Sequence, residues 1–349
     1  MQPVYATREE IKAELDVRET ARSNARIDRA LDDASRAVEA LCHRTFYPWQ
    51  GERRFDWPGS QYRPSWRIWL DDHGLISLTS ITSGGVAINP DDVVLYPNSG
   101  PPYTRIETNL GTSATWGGGD THQQDVTITG LWGYRNDETP AGTLAEALDD
   151  SETGVDVDAA TSAAVGVGAL LRIDDERLIV TGRTQLDTGQ TVGGAGLTAI
   201  NNSVTVTVQD GTGFAAGEVL LIDGERLRID DIAGNTLIVT RAWDGSTIAA
   251  HTEGAVIYAP RALTVQRAAV GTTATAHALG AAVHLFVPPG PVRQYVVAEA
   301  LTSLLQGRSG YARTAGSGES EREATGTGLR ALRDRVYASH GRHARSRGV

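Results

Sequence analysis

Between Ser23 and His43, apolar residues recur at Ile27, Leu31, Ala34, Val38 and Leu41, a rhythm that gathers them on one face of a long helix. Asp28, Arg29, Asp32, Asp33, Arg36 and Glu39 fill much of the remaining surface, so the stripe must be laid against another element. Upstream, Thr7-Arg8-Glu9-Glu10 has the spacing of a capping box and predicts a short helix to Leu15. The long helix gives way to Phe46-Tyr47-Pro48, where the proline disfavours helical backbone at Tyr47. The period then changes to that of strands, expected around 53–57, 66–70, 75–81, 93–96 and 125–134 and punctuated by glycine and proline turns. A second long helical pattern begins at Pro291, with Val292, Val296, Ala300 and Leu304 four residues apart and Val297, Leu301 and Leu305 beside them.

The segment between these helical parts repeats itself. Gly168-Ala169-Leu170-Leu171-Arg172-Ile173-Asp174-Asp175-Glu176-Arg177-Leu178 is echoed 49 residues later by Gly217-Glu218-Val219-Leu220-Leu221-Ile222-Asp223-Gly224-Glu225-Arg226-Leu227. A second match has a different offset, 26: Leu237-Ile238-Val239-Thr240-Arg241 with Leu263-Thr264-Val265-Gln266-Arg267, followed by His251 with His277. Unequal offsets exclude simple tandem duplication and point to one module inserted into a hairpin connection of the other. Module one is expected at about 164–182 plus 263–287, and the nested module two at about 203–259. The fold class is α+β: a small helical core with short strands, interrupted by an all-β insertion of two related modules. The expected segments are 1–136 for the N-terminal part of the core, 137–287 for the insertion, 288–306 for its C-terminal helix and 307–349 for a flexible hinge and basic arm.

Charge sharpens this division. The chain carries net −11, but residues 137–287 hold 20 acidic and 8 basic residues, net −12, leaving the remainder near neutral. An acidic insertion would be repelled by nucleic acid and should face something else. From Leu329 onward there are six arginines and one acid. Lys12 is the single lysine, and the single cysteine, Cys42, excludes an intrachain disulfide and is expected to be a buried helix residue. No stretch is apolar enough to span a bilayer, and Arg8, Glu9 and Glu10 stand where a secretory signal would be apolar.

Candidate chemistry is sparse. Asp223, Glu225, Asp230 and Asp231, with Asp174, Asp175 and Glu176 in the other module, invite a metal or paired-carboxylate reading. The Asp-Gly turn and neighbouring arginines favour salt-bridged turns instead, and no calcium-loop spacing is present. His251 and His277 read as turn or packing residues, with no clustered His or Cys partners visible. The expectation is a non-enzymatic protein without a catalytic, cofactor or metal site.

Tyr5-Ala6-Thr7, the long helix ending in Cys42-His43-Arg44-Thr45-Phe46-Tyr47-Pro48, and the strand ending in Trp132-Gly133-Tyr134 together resemble the head-to-tail connector, or adaptor, proteins of tailed bacteriophages related to the connector of phage HK97. The resemblance covers about 1–135 and 288–349. In that pattern a proline and helix soon follow the last strand; here more than 150 residues intervene before Pro288-Pro289-Gly290-Pro291. The resemblance implies a virion protein of the head-tail interface, made in the bacterial host cytoplasm. It implies a ring, twelve-fold in the family, beneath the portal protein, joined to a downstream neck or tail-completion protein, with genomic DNA passing through without specific binding. It also implies a C-terminal portal-contact arm, here Leu329, Arg330, Leu332, Arg333, Val336, Arg342 and Arg345. The core expected from the helical stripes and strands is Ile27, Leu31, Ala34, Val38, Leu41, Trp132, Tyr134, Val296 and Leu301. An alternative is a virion binding module whose insertion recognises a tail fibre, capsid protein or glycan. No cofactor and no membrane anchor are expected.

Overall fold

The computed structural model describes residues 2–15, 21–57, 64–70, 73–308, 314–315, 322–323 and 326–342. They form a mixed α+β protein with a large antiparallel sheet in the insertion. Two compact units emerge; two of their limits, at 36/37 and 333/334, run through helices, and those at 137/138 and 286/287 fall within one residue of the expected ends of the insertion. One holds 1–36, 138–286 and 290–333; the other holds 37–137, 287–289 and 334–349.

In the first unit, helix α1 (Arg8–Leu15) is closed by the capping box: the Thr7 N–H donates to Glu10 Oε2 at 2.6 Å, and the Glu10 N–H to Thr7 Oγ1 at 3.4 Å. Helix α2 (Ala21–Cys42), whose last turns from Ala37 belong to the second unit, buries Ile27, Ala30, Leu31, Ala34, Val38 and Cys42, while Leu41 is only half-buried because Cys42 takes the last place on the stripe. Burial pushes the Cys42 thiol up to about 11, that of an inert packing group. Arg8 makes a two-pronged ion pair with Asp28. The N-terminal segment is stitched to the insertion by Arg8 N–H to the Val167 carbonyl and Val167 N–H to Glu9 Oε2. The insertion is therefore packed on residues 1–36 rather than hanging free of them.

In the second unit, strands β1 (Trp49–Phe55), β3 (Leu75–Ser83), β4 (Val86–Ile88) and β7 (Val126–Trp132) make an antiparallel sheet in the order β1-β7-β3-β4. Strands β2 (Arg67–Trp69), β5 (Val93–Tyr96) and β6 (Arg105–Thr108) make a second, ordered β2-β6-β5. Phe55, Ile68, Leu70, Leu75, Ile81, Ile106, Val126, Ile128 and Trp132 form their shared core, and Trp132 Nε1–H donates to the Gly51 carbonyl. Tyr134 stays half-buried, its ring edge-on to Phe46. Strands β4 and β6 are not among those the sequence pattern predicts.

The insertion contributes β8 (Glu138–Thr143), β9 (Gly154–Asp156), helix α3 (Ala159–Ala164), β10 (Leu170–Ile173), β11 (Glu176–Thr191), β12 (Thr205–Thr207), β13 (Val219–Ile222), β14 (Glu225–Ala233), β15 (Thr236–Thr240), β16 (Val256–Gln266) and β17 (Ala282–Phe286). It is thus not purely β. Asp158 caps α3 by accepting the Thr161 N–H, and its other oxygen accepts the Thr143 N–H. The sheet runs β12-β15-β14-β13-β16-β11-β10-β17-β8.

Two separate hydrophobic cores sit in this sheet. One draws on residues from Ala141 to Val180 plus Leu263, Val265 and Val283; the other runs from Val192 to Ala259. Both begin earlier than the expected module limits. The two hairpins are superposable in register: Leu171 faces Leu178 and Ile173 faces Glu176, just as Leu220 faces Leu227 and Ile222 faces Glu225. Strands β11 and β16 run through both modules, bending at bulges near Gly182, Gln185 and Thr188.

Helix α4 (Gly290–Arg308) buries Val292, Tyr295, Val296, Ala300 and Leu304. Leu301 is half-buried and Leu305 exposed, so the buried stripe lies one step round from the 297/301/305 row. Arg293 of α4 pairs with Glu10. Short strands β18 (Thr314–Ala315) and β19 (Arg322–Glu323) pair where a hinge was expected, and α5 (Gly326–His340) follows. Among the described residues no helix is long and apolar enough to cross a membrane.

Candidate functional site

The most concentrated polar chemistry is a buried network that occurs twice. In module two, the β13–β14 hairpin turns at Asp223, whose φ of 52° is left-handed, and delivers Glu225 inward with no exposed side-chain surface. Arg241, at the end of β15, grips Glu225 with Nε to Oε1 and Nη2 to Oε2, both at 2.7 Å. The Ala242 and Ala249 N–H groups donate to the same carboxylate at 3.1 and 2.9 Å. His251 completes it, with Nε2 2.9 Å from Glu225 Oε2 and Nδ1 2.7 Å from Asp223 Oδ2. Module one repeats each contact: Arg267 to Glu176 at 2.8 Å twice, the Ala268 and Thr275 N–H groups at 3.0 and 3.1 Å, and His277 between Glu176 and Asp174 at 3.0 and 2.8 Å.

The arginines carry the network further. Arg241 donates to the carbonyls of Thr198, Ser203 and Ala249, and Arg267 to those of Asp149, Glu152 and Thr275. One glutamate therefore ties a hairpin, a strand end, the histidine loop and an upstream loop together. The price is local strain: Ala242 and Asp244, and at the matching places Ala268 and Val270, have left-handed φ, which is unusual for a β-branched valine.

Burial pushes each glutamate's pKa up, but the arginine, the two backbone N–H groups and the histidine outweigh it, holding Glu176 and Glu225 at about 2. Five donors converge on each carboxylate, which is closed to solvent. Neither its lone pairs nor its position leaves room for a substrate or cation, so these residues act as a staple rather than as acid, base or ligand.

His251 and His277, read from the sequence as turn or packing residues, are buried, and each lies between two carboxylates brought by a hairpin remote in sequence. While the neighbouring Arg228 pairs with Asp230, the arginine partners of Glu225 and Glu176 are Arg241 and Arg267, across the sheet. The signal was present, since both occupy matched positions in the two repeats. Asp230 instead accepts from Thr240 Oγ1 at 2.5 Å, and Asp231 caps the Ile232 N–H. Among the described residues, no group of three or more His, Cys, Asp or Glu is arranged to hold a metal.

The C-terminal arm is a different kind of site. Helix α5 exposes Arg330 and Arg333, half-buries Leu329 and Leu332, and buries Val336 completely. Its end is anchored within the second unit: the Arg342 N–H donates to the Cys42 carbonyl at 3.1 Å, and the His340 ring lies 5.5 Å from Tyr134 and 6.0 Å from Phe46. Burial, then Arg44 and Arg135, lower the His340 pKa, favouring a neutral ring. Arg345 lies outside the described residues. Comparisons with protein-family models, with curated proteins and with solved structures find no match to this chain.

Proposed function

We propose that this chain is a structural head-to-tail adaptor of a tailed bacteriophage, a ring-forming protein that joins the portal protein to a neck or tail-completion protein at the head-tail interface and lets DNA pass. The observation that carries the reading is the arm: α5 holds Arg330 and Arg333 outward while Val336 and the turn at His340–Arg342 secure the helix end. Such a helix offers planar cations to carboxylates on a partner protein. The order of elements supports it too: a capped helix, a long one-sided helix, an antiparallel sheet ending at Trp132, and a helix opened by Pro291. The acidic insertion would face away from the DNA path.

The expected result for Arg330→Glu combined with Arg333→Glu is loss of binding to the purified portal protein, with unchanged circular dichroism. Truncation of 329–349 is a poorer test, because it also removes the buried Val336 and the contacts to Cys42 and Phe46. Portal affinity equal to the parent in the double variant would sink the arm assignment. Negative-stain images of the portal mixed with the chain but lacking any added ring would count against the adaptor itself.

A second reading, in which module two binds an outer virion component, is favoured by that module's separate core. Replacing 186–259 by an Asn-Gly turn should leave a folded chain that still binds portal. If particles assembled with it keep every outer component, this reading falls.

A further inference from the structure

The second unit carries a surface pocket of about 580 Å³, lined by Arg44, Trp69, Tyr96, Pro97, Pro102 and Arg105 among others. Its walls are aromatic and proline surface, and its polar character is cationic. Arg105 stacks over Tyr96 at 4.2 Å and Trp69 at 5.4 Å, with Glu107 3.0 Å from its Nε. Arg44 is less well compensated. Its guanidinium lies over the Tyr134 ring at 5.0 Å, its Nε is buried without a hydrogen-bond partner, and no carboxylate pairs with it among the described residues. Burial first, and then Arg342, lower its pKa.

The β5–β6 ladder connects this pocket to its complement. Tyr96 faces Arg105 at the pocket end, and Val93 faces Thr108 at the other. Three residue steps make the ladder about 10 Å long. Beyond the far end, the Asn109 N–H donates to the Asp92 carbonyl at 2.8 Å, which ties the turn that carries Leu110 to the Asp91-Asp92 turn. Leu110 is 72% exposed, the most of any large hydrophobic residue described, and Asp91 is exposed as well. Asn89 and Asn109 fix this tip by accepting the Asp91 and Gly111 N–H groups. One end of the ladder is thus an apolar tip with two carboxylates, and the other an aromatic pocket with two arginines.

We infer that the pocket receives the Leu110 tip of a second copy of this chain, with Asp91 and Asp92 reaching Arg44 and Arg105. The two patches differ and lie at opposite ends of one ladder, so the contact is head-to-tail; repetition of such a contact closes a ring when the rotation allows. This deepens the proposed adaptor reading by naming the surface through which its copies meet.

Sedimentation velocity on the full chain and two variants tests it. Arg44→Glu spoils the pocket and keeps the tip; Leu110→Asp spoils the tip and keeps the pocket. Each alone should associate at least about 30-fold more weakly than the parent, as for loss of an interface hot spot. Mixed in equal amounts, they should form a 1:1 dimer that grows no further, because the intact tip of one fits the intact pocket of the other. Circular dichroism checks both folds. Leu110→Asp, at an exposed position, carries the test if Arg44→Glu unfolds, with loss of association expected and parental association overturning the inference. A parent that stays monomeric to about 1 mM overturns it, as does a mixture that forms no dimer from folded variants. Rings that persist in both variants overturn this interface and leave the adaptor reading standing, whereas failure to add a ring to the portal removes that reading independently.

Discussion

Replacing Glu225 by glutamine is expected to lower the stability of module two by about 3–5 kcal/mol, the usual cost of breaking a buried ion pair from one side. Glutamine keeps the shape but puts an NH₂ group among donors. Arg241, which has 2% of its side chain exposed, is left charged and without its carboxylate, while the Ala242 and Ala249 N–H groups compete for one oxygen. Because module two has its own core, urea denaturation followed by tryptophan fluorescence of Trp243 should show this module melting ahead of the rest. Glu176→Gln should do the same to module one through Arg267, and the two losses should add, since the networks share no partner. The control is Asp223→Asn. That carboxylate is 63% exposed, and its replacement should cost under about 1 kcal/mol. Equal effects of the Asp223 and Glu225 variants would show that burial is not what gives the network its strength.

Acid should unfold both modules over a defined window. Glu176 and Glu225 sit at about 2 in the folded chain against an ordinary 4.5. A depressed carboxylate stabilises the fold fully above its unfolded value and loses that contribution as pH falls through its folded one. The expected loss therefore begins near pH 4.5 and is complete near pH 2, on the order of 3 kcal/mol for each glutamate. Midpoints of urea unfolding taken between pH 6 and 2 measure it. The Glu225→Gln variant should show a flatter profile for module two and an unchanged one for module one. A profile that stays level down to pH 2 would contradict the assigned protonation.

The repeats were legible in the sequence because turn chemistry and hydrophobic runs survive duplication together: Asp174-Asp175 and Asp223-Gly224 close hairpins of identical register. The nested order followed from two unequal offsets. What the pattern could not supply was pairing. Glu176 meets Arg267 across 91 positions and His277 across 101, and no local periodicity encodes separations of that size. The same blindness applies to the pocket, where Arg44 and Arg105 converge from a helix end and a four-residue strand.

The sequence by itself determined the one-sided helices, their caps and stops, and the two modules, since each depends on residues a few positions apart obeying fixed backbone periods. Only the tertiary structure decided that the insertion is packed on residues 1–36, that two buried glutamates hold the modules' loops, and that α5 ends against Cys42 and Phe46. Those outcomes turn on which desolvated surfaces and charges meet, and that is settled by the folded chain as a whole.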